Sequence, residues 1–357
     1  MQTFAARPRK TALGLALALA GSAALPTMAA ADEGGVSFWV PGLFGSLAAA
    51  PLQPGFALTT IWYNDNVHAG SDVSRAREIT IGRITSDLNV NLSGNLKAHV
   101  ELGIFDGTYV FATPFLGGQA AIDLIGVYGR SATSLAATLT GAASTAFGTV
   151  PFSRSDNISD SVTGFGDLYP MFSERWNAGV NNYMIYILGD IPVGAYDSTR
   201  LSNIGIGHSA VDSGVGYTYF DPKTGHEISG VLGFTYNSTD PSTQYKNGVD
   251  MHFDWGASQF LTKQLQVGIV GYVYDEIGCD SGSGDRVGCF QSRVVGIGPQ
   301  LGYIIPLGAM EAYVNLKGYE EFDAQHRAHG WNTWLTVSLG PAASGRETKF
   351  VPPAAHR

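Results

Sequence analysis

The sequence lacks a long apolar run after its first thirty residues. No later stretch of about 18 apolar residues exists, so no segment is expected to cross a membrane as an α-helix. If the chain lies in a membrane, it must therefore cross it as a closed β-barrel, the only other structure that satisfies every backbone group in hydrocarbon.

Charged residues are also scarce, and basic residues most of all. Only 14% of the residues are charged, whereas a soluble domain carries about 25%. The 21 Lys and Arg are outnumbered by 30 Asp and Glu, which gives a net charge of −9. An acidic chain of this kind is not expected to bind nucleic acid. Its low charge is typical of a protein whose outer surface meets lipid.

Cysteine is limited to Cys279 and Cys289, which lie at the ends of a Gly/Ser-rich stretch. In an exported chain such a pair predicts a disulfide that closes one short loop. Two thiols without a nearby histidine argue against a zinc site or a catalytic cysteine. The acidic residues of the same loop lack the glutamate that ends an EF-hand calcium loop. Since neither a Walker loop nor a Ser-His-Asp order is found, we predict no enzyme, no cofactor and no metal.

The first 31 residues are typical of a secretory signal peptide. Arg7, Arg9 and Lys10 precede an apolar run over residues 13–25, and small residues follow at 29–31. The alternative is a short buried helix. Removal of the signal peptide leaves 18 basic against 30 acidic residues, a net charge of −12. Residues 32–54 are rich in Pro and Gly, so we expect them to precede the first strand and to lie in or across the mouth of a barrel.

Residues 55–339 consist of strand-like runs, of which 249–276 is the clearest. Val249, Met251 and Phe253 alternate with charged or polar neighbours, the period of two that a strand requires. Aromatic residues are abundant, with 16 Tyr, 18 Phe and 6 Trp. Strands with one apolar and one polar face fit either a soluble β-sandwich or a membrane barrel with apolar residues on lipid and polar residues inside.

The lengths of the connections favour the barrel. Short turns are predicted at residues 93–95, 117–118, 221–225, 262–264 and 307–308, and long loops at 64–76, 277–291 and 323–330. Bacterial outer-membrane barrels sort their connections in this way. We therefore predict an all-β fold, an antiparallel transmembrane β-barrel of about 12 strands (12–14) with short periplasmic turns and longer outer loops. Residues 153–161 are expected to be a loop, 79–92 a separate strand, and 340–357 a flexible tail.

Polar residues on two hairpins and on the strand after residue 310 are candidates for the lumen. These lumen-lining candidates are Lys97, His99, Glu101, Asp250, His252, Asp254, Lys317 and Glu321. They could bind a cation or a polar solute, or they could form a hydrated wall whose opposite charges pair across strands. The spacing assigns no catalytic pair.

Several short motifs, in order along the chain, also resemble a known family. They are residues 37–42 with 45–46, then 166–167, 191–196, 271–274, 296–300 and 330–335. The chain resembles the outer-membrane proteins named for the meta-cleavage pathway of phenol degradation. The resemblance implies a transporter in the outer membrane of a Gram-negative bacterium, linked to uptake of aromatic compounds. The expected partners are outer-membrane lipid, small-molecule solutes and the barrel-assembly machinery. The alternative is a barrel that transports nothing and acts as a structural or surface-interaction protein.

Overall fold

Twelve antiparallel strands form a closed barrel in the computed structural model, which describes residues 37–70, 91–145, 148–286 and 288–342. The strands are β1 (Gly55–Ala69), β2 (Asn91–Val110), β3 (Gln119–Thr145), β4 (Gly148–Ala178), β5 (Asn181–Gly189), β6 (Ala210–Asp221), β7 (His226–Asn237), β8 (Val249–Phe260), β9 (Leu265–Glu276), β10 (Arg293–Leu307), β11 (Met310–Gln325) and β12 (His329–Pro341). Each strand pairs with its chain neighbours, and β1 pairs with β12 from Leu58 opposite Leu339 to His68 opposite His329. The predicted fold class is confirmed. No helix in the described ranges is long and apolar enough to span a membrane.

Alternation along each strand sends one set of side chains outward and the other inward. In β1, Phe56, Leu58 and Trp62 are 75, 55 and 55% exposed, whereas Ile61 and Tyr63 between them are buried. Large apolar residues are exposed in the same way on the other strands, so an apolar belt surrounds the barrel. Such a belt is what a barrel presents to hydrocarbon, and this chain is an outer-membrane β-barrel.

The connections differ at the two ends of the barrel. At the end where β1 begins, residues 179–180, 222–225, 261–264 and 308–309 join strands in tight turns, and 111–118 form a slightly longer one. At the other end lie a three-residue connection, 326–328, and the longer loops 190–209, 238–248 and 277–292. Cys279 and Cys289 are joined by a disulfide in the last of these, with Cα atoms 4.8 Å apart. Following the usual arrangement, we call the first end periplasmic and the second outer.

Three predictions about local structure were wrong. The long loop expected at 323–330 is only the three-residue connection 326–328 between β11 and β12. Residues 93–95 do not turn, because β2 runs without interruption from Asn91 to Val110 and pairs with β3 throughout. Residues 153–161 are not a loop but part of β4. Strands β3 and β4 have 27 and 31 residues, whereas about 9–11 suffice to cross a membrane. The hairpin that they form therefore projects well beyond the outer surface. The signal peptide, residues 79–90 and residues 343–357 lie outside the described residues.

Candidate functional site: a plugged lumen

Residues 37–54, here called the plug, run along the inside of the barrel and are not confined to its mouth. At the outer end, the Arg327 guanidinium donates to the Ser37 hydroxyl across 3.5 Å. At the periplasmic end, Leu52 and the side chain of Gln119 exchange hydrogen bonds of 2.9 and 2.8 Å. Because β1 begins directly afterwards at Gly55, the plug spans the lumen and continues into the wall.

A turn at residues 42–44 is held between a carboxylate and an ammonium group. The amides of Gly42 and Phe44 donate to the two carboxylate oxygens of Asp254, at 3.0 and 3.2 Å. The Lys317 ammonium donates to the carbonyls of Gly42, Phe44 and Leu43, at 2.5, 3.1 and 3.3 Å. Both ends of these peptide dipoles thus meet a group of the opposite charge. Charge-assisted hydrogen bonds are about twice as strong as neutral ones, so this clamp is the firmest attachment of the plug.

Gly42 is required at this turn by its backbone and by its surroundings. Its φ is +89°, a region that residues with a side chain rarely adopt. A Cβ atom would lie 3.0 Å from the ring of Tyr319 and 3.1 Å from that of Tyr272. Only glycine at position 42 therefore allows the plug to lie this close to the barrel wall.

The periplasmic half of the plug is bound by neutral and acidic groups of β6 and β7. The Leu47 amide donates to Glu227 at 2.9 Å and to the Ser229 hydroxyl at 3.0 Å. The Ala49 amide donates to the Thr218 hydroxyl at 3.0 Å. With the clamp on β8 and β11, these contacts fix the plug against one side of the barrel. We call strands β6–β11 the docking wall.

Trp39 is fully buried and stacks on His252 of the docking wall. The two ring centroids are 3.5 Å apart and the planes differ by 12°. The His252 Nε2 atom lies 3.1 Å from an oxygen of Asp212, and the Tyr186 hydroxyl donates to the other oxygen at 2.6 Å. Since the Asp212 carboxylate accepts from both neighbours, it fixes the orientation of the imidazole beneath the tryptophan ring.

Five of the predicted lumen residues are inside the barrel: Asp250, His252, Asp254, Lys317 and Glu321 are all at most 8% exposed. Three of them contact the plug. The other two support the wall, because Asp250 accepts from the Asn237 amide at 3.0 Å and Glu321 accepts from the Tyr272 hydroxyl at 2.6 Å.

The prediction for Lys97, His99 and Glu101 was wrong, because these residues face outward. The side chains of His99 and Glu101 are 40 and 56% exposed. Their neighbour Leu96 is 1% exposed and packs inside against Leu135. In this part of β2 the apolar face is covered by protein, and the polar face is the outer one.

Sequence reasoning missed other residues that hold the plug, either directly or through a neighbour. Asp212, Glu227 and Thr218 each alternate with outward-facing apolar residues, so strand periodicity could have placed them inside. Nothing in the periodicity could have indicated that Glu227 and Thr218 accept from backbone amides of the plug, or that Asp212 supports the plug through His252.

Three cavities lie on the side of the lumen that the plug leaves free. Two inner cavities of about 310 and 290 Å³ share Phe44, Thr59, Asp106 and Tyr313 in their linings. An outer cavity of about 80 Å³ is lined by Trp39, among others. The two inner cavities lie mainly along β11, β12 and β1–β4, and the outer cavity lies along β11 and β1–β3. Together they mark a path beside the plug along what we call the open wall, which meets the docking wall at β11.

An apolar constriction separates the outer cavity from the inner ones. Along β1, Thr59 and Ile61 line an inner cavity, and Tyr63 lines the outer one. Ile61, Tyr63 and Ile104 are 9, 8 and 5% exposed, and they belong to one apolar cluster against which Val40 and Leu43 of the plug pack. The constriction is therefore formed by apolar side chains; within the same cluster the Tyr319 hydroxyl also donates to the Gly42 carbonyl across 3.5 Å.

Below the constriction the open wall is polar. Asp106, Asp123 and Arg175 line the larger inner cavity. The Thr108 hydroxyl donates to Asp123 at 2.6 Å. The inner cavities thus form a vestibule with charged side chains in its wall on the periplasmic side. In the described ranges, no three His, Cys, Asp or Glu residues are placed to hold a metal ion.

The outer cavity is covered by the loop 190–209, whose Asn203 and Ile204 form part of its lining. Asp167 anchors the loop by accepting from the amides of Gly194 and Ile206, at 2.7 and 2.8 Å. Asp190 is buried at the start of the loop. Its burial, and then the nearby Asp167 carboxylate, raise the pKa of Asp190 to about 8, so the neutral form prevails at pH 7.

Among solved structures, the COG4313 outer membrane channel from Pseudomonas putida F1 is similar over 84% of this chain and 98% of its own, with 12% identity and a TM-score of 0.59. A FadL homologue from Pseudomonas aeruginosa is similar over 88% of this chain and 98% of its own, with 10% identity and a TM-score of 0.36. The first of these similarities supports the barrel fold. No curated protein matches the sequence.

The sequence itself matches a family over most of its length. The family described as "Putative MetA-pathway of phenol degradation" matches residues 74–337, which begin after β1 and end within β12. The match covers well over half of the chain, and the chain belongs to this family.

Proposed function

We propose that this protein is an outer-membrane channel through which small apolar molecules, including aromatic ones, diffuse along the open wall. The observation that carries the proposal is the apolar constriction at Ile61, Tyr63 and Ile104, which lies between an outer and two inner cavities beside a fixed plug. The protein would supply position and solvation and no chemistry.

The constriction favours apolar solutes for a simple reason. A hydrated ion or a sugar would have to give up hydrogen bonds to water there, and transfer of one unpaired polar group to an apolar site costs about 2–7 kcal/mol. An aromatic hydrocarbon loses nothing comparable, and side chains of Tyr63 and Ile104 offer it contact. Hydrophobic constrictions of this kind exclude ions in channels by expelling water.

The family and the fold support the same conclusion. The family description refers to phenol degradation, and the similar structure from Pseudomonas putida F1 is described as an outer membrane channel. The acidic vestibule formed by Asp106 and Asp123 would give any ions that do pass a weak preference for cations.

A second candidate function is a closed barrel that transports nothing. One observation favours it: the plug fills the lumen and is fixed by contacts at its outer end, at the clamp and at its base. In that case the projecting β3–β4 hairpin would be the functional part of the molecule.

Uptake of N-phenyl-1-naphthylamine by intact cells separates the two candidates, because intact outer membranes admit this fluorescent apolar probe slowly. Cells that contain the protein should take it up faster than cells without it, and an Ile104→Ala variant should be faster still. Ile104→Trp should return uptake to background. A matched control is Ile185→Ala on the lipid-facing side of β5.

The control readouts are nitrocefin hydrolysis by a periplasmic β-lactamase and heat modifiability on gels. Nitrocefin is a polar anion, so its rate should not change, and heat modifiability shows that each variant is folded. Equal probe uptake in cells with the wild type, with Ile104→Ala and without the protein would refute the channel and favour the closed barrel.

A further inference from the structure

Five basic side chains gather on the outer face of β12, β1, β2 and β3, at the outer end of the barrel. This rim patch consists of His68, Lys97, His99, Arg130 and His329. It contains three of the eight histidines of a chain whose net charge is −9. A basic group of this size is therefore a local exception to the charge of the whole protein.

Strand register places three of the five residues in one row and the other two nearer the membrane. His68 is directly opposite both His329 on β12 and Lys97 on β2. The rings of His68 and His329 have centroids 4.8 Å apart. Since neighbouring strands are about 4.8 Å apart, these three side chains form one row across three strands. His99 follows two residues after Lys97, and Arg130 lies opposite Glu101.

The two permanent charges of the rim patch have no acidic partner in the described part of the chain. Neither Lys97 nor Arg130 forms an ion pair there. Other basic residues of the outer rim do have partners: Lys246 donates to the Tyr236 hydroxyl at 2.7 Å, and Arg293 pairs with Asp323 at 3.0 Å. The one carboxylate of the patch, Glu101, lies 3.5 Å from His99.

The patch begins where the apolar belt ends. Arg130 follows the exposed Tyr128 by two residues, and His329 precedes the exposed Trp331 by two. Two residues of a strand advance by about 7 Å, so both side chains reach the headgroup layer next to the hydrocarbon. His68 and Lys97 lie in the same row as His329. A basic group at this level meets lipid headgroups before it meets any soluble partner.

We infer that the rim patch binds the phosphate groups of lipid A, the phosphorylated glycolipid of the outer leaflet. Arg130 has the planar donor arrangement that matches phosphate oxygens, and Lys97, His68 and His329 add further donors in a row that lies four residues farther out along the sheet. The exposed rings of Tyr128 and Trp331 below them would contact the acyl chains. This site does not depend on what the lumen carries.

Binding of lipid A to the purified protein in detergent tests the inference. Bisphosphorylated lipid A is titrated against the wild type and a Lys97→Gln/Arg130→Gln variant, with thermophoresis as readout and with dephosphorylated lipid A as the second ligand. Each basic residue near a charged lipid surface contributes about 1 kcal/mol, so loss of two should weaken binding about 30-fold. The dephosphorylated lipid should bind both proteins equally weakly. Glu101→Gln should strengthen binding of the phosphorylated lipid.

The matched control is Lys246→Gln/Arg293→Gln, which removes the same charge from the outer rim outside the rim patch. Its affinity for bisphosphorylated lipid A should stay within twofold of the wild type. Heat modifiability confirms that each variant is folded. Equal losses in both double variants would show general charge attraction and overturn the inference. Equal binding of the phosphorylated and dephosphorylated lipids would overturn it as well.

Discussion

Replacement of Lys317 by methionine should release the plug. Methionine has a similar length but no charge and no donor, so the carbonyls of Gly42 and Phe44 lose the hydrogen bonds of 2.5 and 3.1 Å that hold them. The amides of the same turn remain bound to Asp254. The substitution therefore opens one half of the clamp and leaves the other half in place.

The expected size of the effect follows from these two bonds. A hydrogen bond to a charged group contributes about 1.5–3 kcal/mol, so loss of two weakens plug binding by about 3–6 kcal/mol. Since 1.4 kcal/mol corresponds to a factor of ten, the population of the unplugged barrel should rise by about 10²- to 10⁴-fold. Even a 10²-fold increase should make release of the plug frequent enough to be seen many times in one single-channel recording.

Planar-bilayer recording measures this population directly. The wild type should show little current, because the apolar constriction excludes ions, whereas Lys317→Met should show frequent large openings. Lys317→Arg keeps the charge and should remain close to the wild type. Lys263→Met, in a periplasmic turn, controls for the loss of a positive charge elsewhere. If Lys317→Met has the same open probability as Lys317→Arg, the clamp does not retain the plug and the reasoning fails.

Three further predictions concern the plug and the outer loops. Gly42→Ala places a Cβ in a φ of +89°, which costs about 1–2 kcal/mol, and should raise the open probability in the same recordings about tenfold; an unchanged value would contradict the fit described. Closure of the loop 190–209 should lose stability as the pH rises from the ordinary carboxyl value of 3.8 to the pKa of Asp190, about 8. The rate of tryptic cleavage after Arg200, divided by the rate in Asp190→Asn at the same pH, should therefore be higher at pH 9 than at pH 7. An equal ratio at the two pH values would contradict this prediction. Cys279→Ser should destabilise only the loop 277–292, because a crosslink across about ten residues contributes at most about 3 kcal/mol. Tryptic cleavage after Arg286 should be faster, and the melting temperature of the barrel should not change. A lower melting temperature would contradict this prediction.

The barrel could be predicted because its strands obey one rule within the membrane. Val249, Met251 and Phe253 alternate with buried polar residues, and this alternation sets both the strand and the face that meets lipid. The lengths of the connections between strands then predicted which end of the barrel faces the periplasm. These are local properties of the chain, and hydrocarbon outside and water inside impose them on each strand separately.

The rule reverses where strands leave the membrane, and there the prediction of the face failed. At the outer end of β2, Leu96 packs on Leu135 and Leu201, so protein and not lipid covers the apolar face. Lys97 and Glu101 then face the exterior. Likewise, Gly94 indicated a turn, yet the long hairpin carries β2 straight through it. The sequence shows that apolar and polar residues alternate. Which of the two faces is exposed to water, however, depends on contacts with loops that are distant in the chain.

The plug illustrates the same limit. The composition of residues 37–54 indicated an ordered segment near the barrel, but its path depends on partners such as Thr218 and Glu227, more than 160 residues away. Those contacts join backbone amides to side chains. Since nearly every residue type carries the same backbone amide, the sequence does not indicate which of them is bound.

The plug is covalently joined to β1 at the periplasmic end, and this connection limits how it can leave. It can withdraw only toward the periplasm, and a chain of about 18 residues then keeps it at the inner mouth. Short flexible tethers hold a ligand at millimolar local concentration. Re-entry is therefore intramolecular and quick, so each opening closes itself, at a rate that does not depend on how many copies of the protein the membrane contains.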